Sequence, residues 1–364
     1  MTAAPDTPVP HAPAVRGALM AAEIAEQPAV LDRFLAEGLR DVTRAAGVVR
    51  NRRPRFALLA ARGTSDHAAL YAKYLLEVHL GLPCGLVSAS TLTAYGARPD
   101  LTDVLWLAVS QSGASPDLVE STRVAREQGA LTLAVTNAAA SPLAGAAEQH
   151  VDVLAGPERS VAATKSYTAQ LLAMSVLVGL VVDPSTGTSR VAGLPVLAER
   201  LLARGDAARI SPRYRFVERL VTTARGFAYP TAREAALKLM ETSYLSAHAF
   251  SAADLLHGPL AMIDQDRPVI AVVADGPGAE AIGPALDRLH EREADVLLVA
   301  DEAVLAGWGG RRSTVEVPLP AGVPEDLAPI LQILPLQQLA HAMAVARGHD
   351  PDAPRGLSKE TSTW

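Results

Sequence analysis

Val104-Leu105-Trp106-Leu107-Ala108-Val109-Ser110-Gln111-Ser112-Gly113-Ala114-Ser115-Pro116-Asp117 passes from an apolar run into a cluster of hydroxyl, amide and glycine residues. Leu118, Val119, Val124 and Ala125 then follow in an amphipathic pattern. Such a run reads as a strand delivering a loop to a helix N-terminus, with Pro116 in the first turn, where its missing N–H costs nothing. Backbone N–H groups and the positive end of the helix dipole meet the hydroxyls of Ser110, Ser112 and Ser115 there. Together they make a cradle for a phosphate or another small anion. A serine-rich turn with ordinary capping has the same sequence, so the rest of the chain decides between the two.

Around this stretch, strand-like and helix-like runs alternate. Phe56–Ala60, Cys84–Val87, Leu131–Thr136 and Val151–Leu154 read as further strands of the first half. Between them lie helical segments such as Ser65–Val78, where Leu70, Tyr74 and Val78 share a face. Leu220–Thr223, Val269–Val273 and Val296–Ala300 continue the theme, with helices over Ala232–Leu245 and Ala279–Glu291. Apolar strands with intervening helices mean a parallel sheet covered on both faces. An echo links the halves: Ala61-Arg62-Gly63 and Ala224-Arg225-Gly226 each open a helical run. We therefore expect two tandem doubly wound α/β units, flavodoxin-like and three-layered, joined near Gly187–Pro212. The expected divisions are a disordered tail over 1–18, a first domain with a helical lead-in over 19–190, a second domain over 205–350, and a C-terminal tail over 351–364 closing the active site.

At 364 residues and 49% hydrophobic content the chain can bury a large core. A net charge of −6 argues against nucleic-acid or anionic-membrane partners. Neutral N–H and hydroxyl donors can still hold a phosphate without a basic patch. Cys84 is the single cysteine, so no intrachain disulfide forms; a buried, inert thiol in a reducing cytoplasm is expected. The longest apolar run, Leu171 to Val182, stops at Asp183-Pro184, short of the roughly 20 residues a membrane span needs. A buried helix is expected there.

Among residues able to do chemistry, Lys238 and Glu241 sit three apart on a helix dense in Ala, Leu and Met. A solvated ion pair is the ordinary reading; a partly buried pair with perturbed proton affinity is the functional one. His257 precedes Gly258-Pro259 and is either a helix cap or a proton shuttle. Glu158-Arg159-Ser160-Val161-Ala162-Ala163-Thr164-Lys165 is a helix approach or backbone lining a sugar site. Lys359 lies in a polar tail. Metal-ligand spacings and nucleotide fingerprints do not stand out, and Ala274-Asp275-Gly276-Pro277-Gly278 is too loose a glycine loop to score. No metal and no cofactor are expected.

Taken together these segments resemble the two-copy sugar isomerase (SIS) family over nearly the whole chain from about Met20. Glu23-Ile24-Ala25-Glu26-Gln27-Pro28, Gly63-Thr64-Ser65, Ser110-Gln111-Ser112-Gly113, Ala162-Ala163-Thr164-Lys165 and the Glu234…Lys238…Glu241…His257-Gly258-Pro259 series are similar to the isomerase half of glucosamine-6-phosphate synthases. Ser65-Asp66-His67-Ala68, Ala72-Lys73-Tyr74-Leu75 and Ser115-Pro116-Asp117 look more like the stand-alone SIS-type glucosamine-6-phosphate deaminases. The resemblance implies that Ser110, Gln111, Ser112 and Ser115 bind a sugar 6-phosphate, with Ser65 near the sugar and Val161 and Ala162 lining the site by backbone. It also implies that Glu241 moves a proton between C1 and C2 with support from Lys238. By the same resemblance His257 would assist ring opening from a second subunit, and Lys359 corresponds to a lysine able to form a Schiff base with a keto sugar. A homodimer with a shared site follows. Two departures stand out: the sequence carries no amidotransferase domain with its N-terminal cysteine, and Ala163 stands where the synthases have serine.

The expected activity is an amino-sugar 6-phosphate deaminase or aldose–ketose isomerase, turning glucosamine 6-phosphate into fructose 6-phosphate and ammonia. If the nitrogen is acetylated, loss of the C3 hydroxyl makes the chain a dehydratase instead. A sugar–amine deglycase and a non-catalytic sugar-phosphate sensor are the other readings.

Overall fold

The computed structural model describes residues 15–359. Most of the expected N-terminal tail and the last five residues of the C-terminal one lie outside the described residues. Five parallel strands form each of two sheets. The first holds β1 (Phe56–Ala60), β2 (Cys84–Leu86), β3 (Val104–Ser110), β4 (Leu131–Thr136) and β5 (Gln149–Asp152), in the order β2-β1-β3-β4-β5. The second holds β6 (Arg219–Ala224), β7 (Ser246–Ser251), β8 (Val269–Val272), β9 (Val296–Asp301) and β10 (Thr314–Leu319). Its order is β10-β9-β8-β6-β7, which read from the other edge repeats the first sheet strand for strand. This is the doubly wound flavodoxin-like order.

Every residue of β4 and β9 is buried, as expected for strands covered on both faces. The sequence reading misses β7 and β10, and both are edge strands. Ser246-Ala-His-Ala-Phe-Ser is half polar, and Thr314–Leu319 carries Pro318, which an edge tolerates because one of its sides has no ladder to feed. Gly187–Pro212, where the two units were expected to join, is largely helical: Leu194–Arg204, with Leu194, Ala198 and Leu201 buried, packs against helices Gln27–Arg33 and Ala328–Ala346. The apolar helix runs over Lys165–Val182, longer than its apolar run because buried Lys165–Gln170 adds a further turn and a half. By length and composition it could cross a membrane, yet 83% of it is buried inside the protein. Cys84 is half-buried; burial and then the Glu77 carboxylate push its thiol up to about 12, so thiolate is scarce at neutral pH.

One contiguous apolar core runs through both sheets and the helices between them, with Leu107, Leu133, Met174, Leu239, Leu297 and Ile333 as members. The helix following the first strand of each unit, Thr64–Leu80 and Tyr229–Ser243, packs against its counterpart. Polar clasps elsewhere also join the two units. Buried Tyr71 bonds Ser175 Oγ at 2.6 Å and donates to Asp326 O at 2.5 Å, while the Asp326 carboxylate takes His79 and Arg190 at 3.0 and 2.8 Å. Asp352 returns to the first unit and accepts from the N–H groups of Leu19 and Met20, capping helix Ala18–Ala25.

Tyr71→Phe removes one hydroxyl and leaves the Asp326 carbonyl without that donor. A loss of about 1–3 kcal/mol is expected, read as a lower urea midpoint with unchanged m-value.

Candidate active site

In an open parallel sheet, ligands bind beyond the carboxyl ends of strands where the strand order reverses. In the first sheet that point lies between β1 and β3. Residues 62–65 follow β1 and residues 111–115 follow β3, so the topology brings these two loops together. Ser115 is the N-cap of helix Pro116–Glu127 and makes no side-chain cap bond. Gly113 has φ +63°, and a Cβ there would run into the Ser141 hydroxyl, so glycine is required. Its N–H donates to Ser110 Oγ at 3.1 Å, which leaves the Ser110 proton as a donor. Ser112 Oγ accepts from Ala114 N–H at 3.2 Å. Arg62 reaches across to Asp117 at 2.7 Å and lends a cation to a loop otherwise made of neutral donors.

These loops line a cavity of about 340 Å³. Of the residues the sequence singles out, Ser65, Ser110, Gln111, Ser112, Ser115, Val161, Glu241 and Lys359 all face it. Ala162 is buried beside Val161 and Lys238 stands behind Glu241. His257 lies elsewhere: it is the exposed C-cap of helix Ala252–Leu256 and does not line the cavity of its own chain. Among the described residues no group of three or more His, Cys, Asp or Glu is arranged to hold a metal ion.

Behind the cavity wall runs a buried chain of charge. Lys238 Nζ lies 2.6 Å from Glu241 Oε2, 3.3 Å from Glu234 Oε1 and 3.1 Å from Thr64 Oγ1. Thr64 Oγ1 donates to Glu234 Oε1 at 3.0 Å, and His67 Nδ1 sits 2.7 Å from Glu234 Oε2. Burial works against the Lys238 ammonium, but Glu234 and then Glu241 overcome it and raise its proton affinity, so it stays charged. For Glu234 burial favours the acid form; Lys238 first, then the His67 hydrogen bond, prevails and holds the carboxyl below its ordinary range. Lys238 and Glu241 are therefore a semi-buried pair and not a solvated one.

Lys359 is part of the wall and not a frayed end. Its Nζ donates to Glu158 Oε2 at 3.0 Å and to Ser160 O at 2.7 Å. Glu158 is fully buried and also accepts from Thr164 N, Ser166 N and Ser166 Oγ. Burial opposes its charge, yet Lys359 first and then Ser166 lower its pKa. The amine expected to attack a keto sugar is held by a carboxylate in this state.

Sequence reasoning quoted Arg62, Thr64, Glu158 and Glu234 within its motifs but gave none of them a role in the site. Arg62 stood in the internal echo, and Glu234 headed the series that carries the resemblance; its spacing of four residues from Lys238 on a helix could have paired the two. Glu158 gave no local signal, because Lys359 is 201 residues away. The second unit shows what became of the repeated loop. Gly276-Pro277 opens helix Pro277–Glu291 as Ser115-Pro116 opens its counterpart, but Gly278 N–H there donates to Glu325 Oε1 at 3.0 Å. A side-chain carboxylate of this chain fills that cradle.

Comparison with known proteins agrees with this architecture. The chain belongs to the SIS domain family, which matches residues 52–180 and 215–306. Glutamine–fructose-6-phosphate aminotransferase (isomerizing) of Thermus thermophilus is 36% identical over 359 residues. That match covers 94% of this chain and 58% of the relative, so the chain spans somewhat over half the length of such proteins. The C-terminal domain of glucosamine-fructose-6-phosphate aminotransferase from Francisella tularensis superposes with a TM-score of 0.84 at 28% identity, covering 92% of this chain and 98% of that one. Glucosamine-6-phosphate deaminase of Thermotoga maritima shares the fold, with a TM-score of 0.74 at 20% identity, covering 95% of this chain and all of that one.

The depressed Glu158 and Glu234 carboxyls give a test. A carboxylate held below its unfolded value stabilises the fold above about pH 4.3, and that contribution fades as pH falls through the folded value. The urea midpoint of the wild type should exceed that of Glu158→Gln at pH 6, and the gap should narrow steadily towards pH 3.5. A constant gap would mean that Glu158 is not stabilised as an anion.

Proposed function

We propose that this chain is an amino-sugar 6-phosphate deaminase of the aldose–ketose isomerase type, acting on glucosamine 6-phosphate. One observation carries the reading: the Glu241 carboxylate, held by a buried ammonium, opens into the same cavity as a serine-lined helix N-terminus. The loop supplies neutral N–H and hydroxyl donors suited to a phosphate dianion, with Arg62 at its edge. A cavity of about 340 Å³ is at the small end of the range for small-molecule sites and suits one phosphosugar.

Glucosamine 6-phosphate opens to an aldehyde at C1 with the amine on C2. Glu241 takes the C2 proton, the electron pair moves into the C1–C2 bond, and the C1 oxygen carries the developing charge towards the Lys238 side of the cavity. Returning the proton to C1, with a second proton passing from the nitrogen to the C1 oxygen, leaves a C1 hydroxyl and an imine at C2. Water adds to that imine and expels ammonia, giving fructose 6-phosphate. General-base transfer of this kind contributes about 10²–10⁴ in rate.

Ring opening needs an acid–base group beside the ring oxygen, and among the described residues His257 is not in the cavity of its own chain. On this reading the chain works as a homodimer in the cytoplasm, and a second copy supplies His257. Lys359 would leave Glu158 to meet the open-chain carbonyl.

Purified protein with glucosamine 6-phosphate should release ammonia and fructose 6-phosphate, and unphosphorylated glucosamine should be turned over at least about 10²-fold less well. A dehydrated, ultraviolet-absorbing product from the N-acetyl sugar, without ammonia, would instead assign a lyase. Gly113→Ala should raise KM for the phosphosugar by tenfold or more, since the cradle must distort; an unchanged KM would remove the phosphate from this loop.

Glu241→Gln keeps shape and loses the proton acceptor, so kcat should fall about 10²–10⁴-fold with substrate still bound. Mixing His257→Ala with Glu241→Gln should restore part of the activity once subunits exchange. Exchange without any recovery would argue that no site is shared.

A further inference from the structure

Both cations that line the cavity have a carboxylate of their own, Lys359 in Glu158 and Arg62 in Asp117. Asp117 has no part in the reaction written above, and it sets a negative charge beside a loop suited to an anion. It lies in the first turn of helix Pro116–Glu127, two residues after the N-cap Ser115, with its side chain only 3% exposed. One carboxylate oxygen accepts the Leu118 N–H at 2.9 Å and the other holds the Arg62 guanidinium at 2.7 Å. Arg62 is further tied to Ala61 O at 2.9 Å, and its side chain, 43% exposed, reaches the cavity. A phosphate in the serine loop therefore meets a guanidinium whose charge is balanced from behind.

Affinity for phosphate alone does not call for this acid. Backbone N–H groups, three serine hydroxyls and the helix dipole already favour an anion there, and an unbalanced Arg62 would favour it further. A buried carboxylate in the same turn works against all of them. At the second reversal point Glu325 takes the Gly278 N–H at the helix N-terminus itself. Asp117 stands beside its own helix N-terminus and leaves Ser115 without a side-chain cap bond, open to the cavity. The 6-phosphate is a handle common to the amino-sugar substrate and the keto-sugar product, remote from C1 and C2. Binding energy gained on it is uniform: it lowers KM, does nothing for the chemical step and slows the departure of product. We propose that Asp117, which touches no substrate, acts through Arg62: by balancing its charge it tempers the loop's hold on phosphate, so that product leaves. The inference rests on the reading of the serine loop as the phosphate cradle.

The test compares wild type, Asp117→Asn, Arg62→Gln and the double variant. The quantity read is the dissociation constant for inorganic phosphate, by calorimetry at fixed pH and ionic strength, with fructose 6-phosphate as the competing ligand. Asparagine keeps the shape of Asp117 and an oxygen for the Leu118 N–H. Asp117→Asn should bind phosphate at least about tenfold more tightly, the scale of one unit charge removed at close range. Arg62→Gln, with the carboxylate left unbalanced, should bind it at least about tenfold more weakly. The double variant loses both charges and should return to within about threefold of wild type. Damage to the fold weakens binding and cannot produce the tightening. Unchanged or weaker phosphate binding in Asp117→Asn, or a double variant as weak as Arg62→Gln, overturns the proposal. Should Arg62→Gln not fold, the tightening in Asp117→Asn and its reversal in the double variant carry the test.

Turnover gives a second reading. Asp117→Asn should lower both KM and kcat for glucosamine 6-phosphate several-fold, and fructose 6-phosphate should inhibit it at about tenfold lower concentration. Tighter phosphate binding with an unchanged kcat overturns the role in product release. Tighter phosphate binding in Asp117→Asn of a protein that turns over no amino-sugar phosphate keeps the tempering and overturns the deaminase reading. Turnover with unmoved phosphate binding does the reverse. If no variant binds phosphate, the serine loop is not its cradle and the proposal falls with it.

Discussion

A buried ammonium is expensive unless its neighbours satisfy it, and Lys238 is almost completely removed from solvent. Its partners come from both halves of the chain: Glu234 and Glu241 from its own helix, Thr64 from the first unit. Pulling the two units apart would strand that charge. The contact that joins the domains is therefore the one that orients the carboxylate in the cavity, and stability and site geometry share a single cluster. Removing one partner leaves an uncompensated charge behind, so the cluster holds or fails as a unit.

The two sheets have the same strand order and the same reversal point, but only one reversal point is open to a ligand in the way the serine loop is. In the first unit, serine hydroxyls and a left-handed glycine shape the turn before Pro116. In the second, Gly276 and Gly278 leave room for the Glu325 carboxylate, which accepts the Gly278 N–H. The same helix N-terminus that favours an external anion is answered there by an internal one. Duplicated architecture thus leaves the first reversal point opening into a cavity lined by residues of both units, while an internal carboxylate takes the helix N-terminus at the second.

The end of the chain closes the circuit. Asp350 and Asp352 bind the N–H groups of Gly17, Leu19 and Met20, Arg355 N–H donates to the Tyr244 hydroxyl, and Lys359 reaches Glu158. A segment with little apolar content is held by these polar contacts in place of burial.

Sequence alone determined the elements whose cause is local. Phe56–Ala60 and Leu131–Thr136 are strands with the expected bounds because runs of apolar residues have no other low-energy use at that length. The Ser110–Pro116 turn was legible because capping chemistry is written in neighbouring residues. Tertiary structure decided what depends on distant partners. The edge strands Ser246–Ser251 and Thr314–Leu319 are half-covered, and neither is a continuous apolar run. Glu158 and Glu234 are acidic residues that, read singly, belong on a surface. They are buried because Lys359 and Lys238 come to them, and a charge can leave water only where folding delivers its counter-charge.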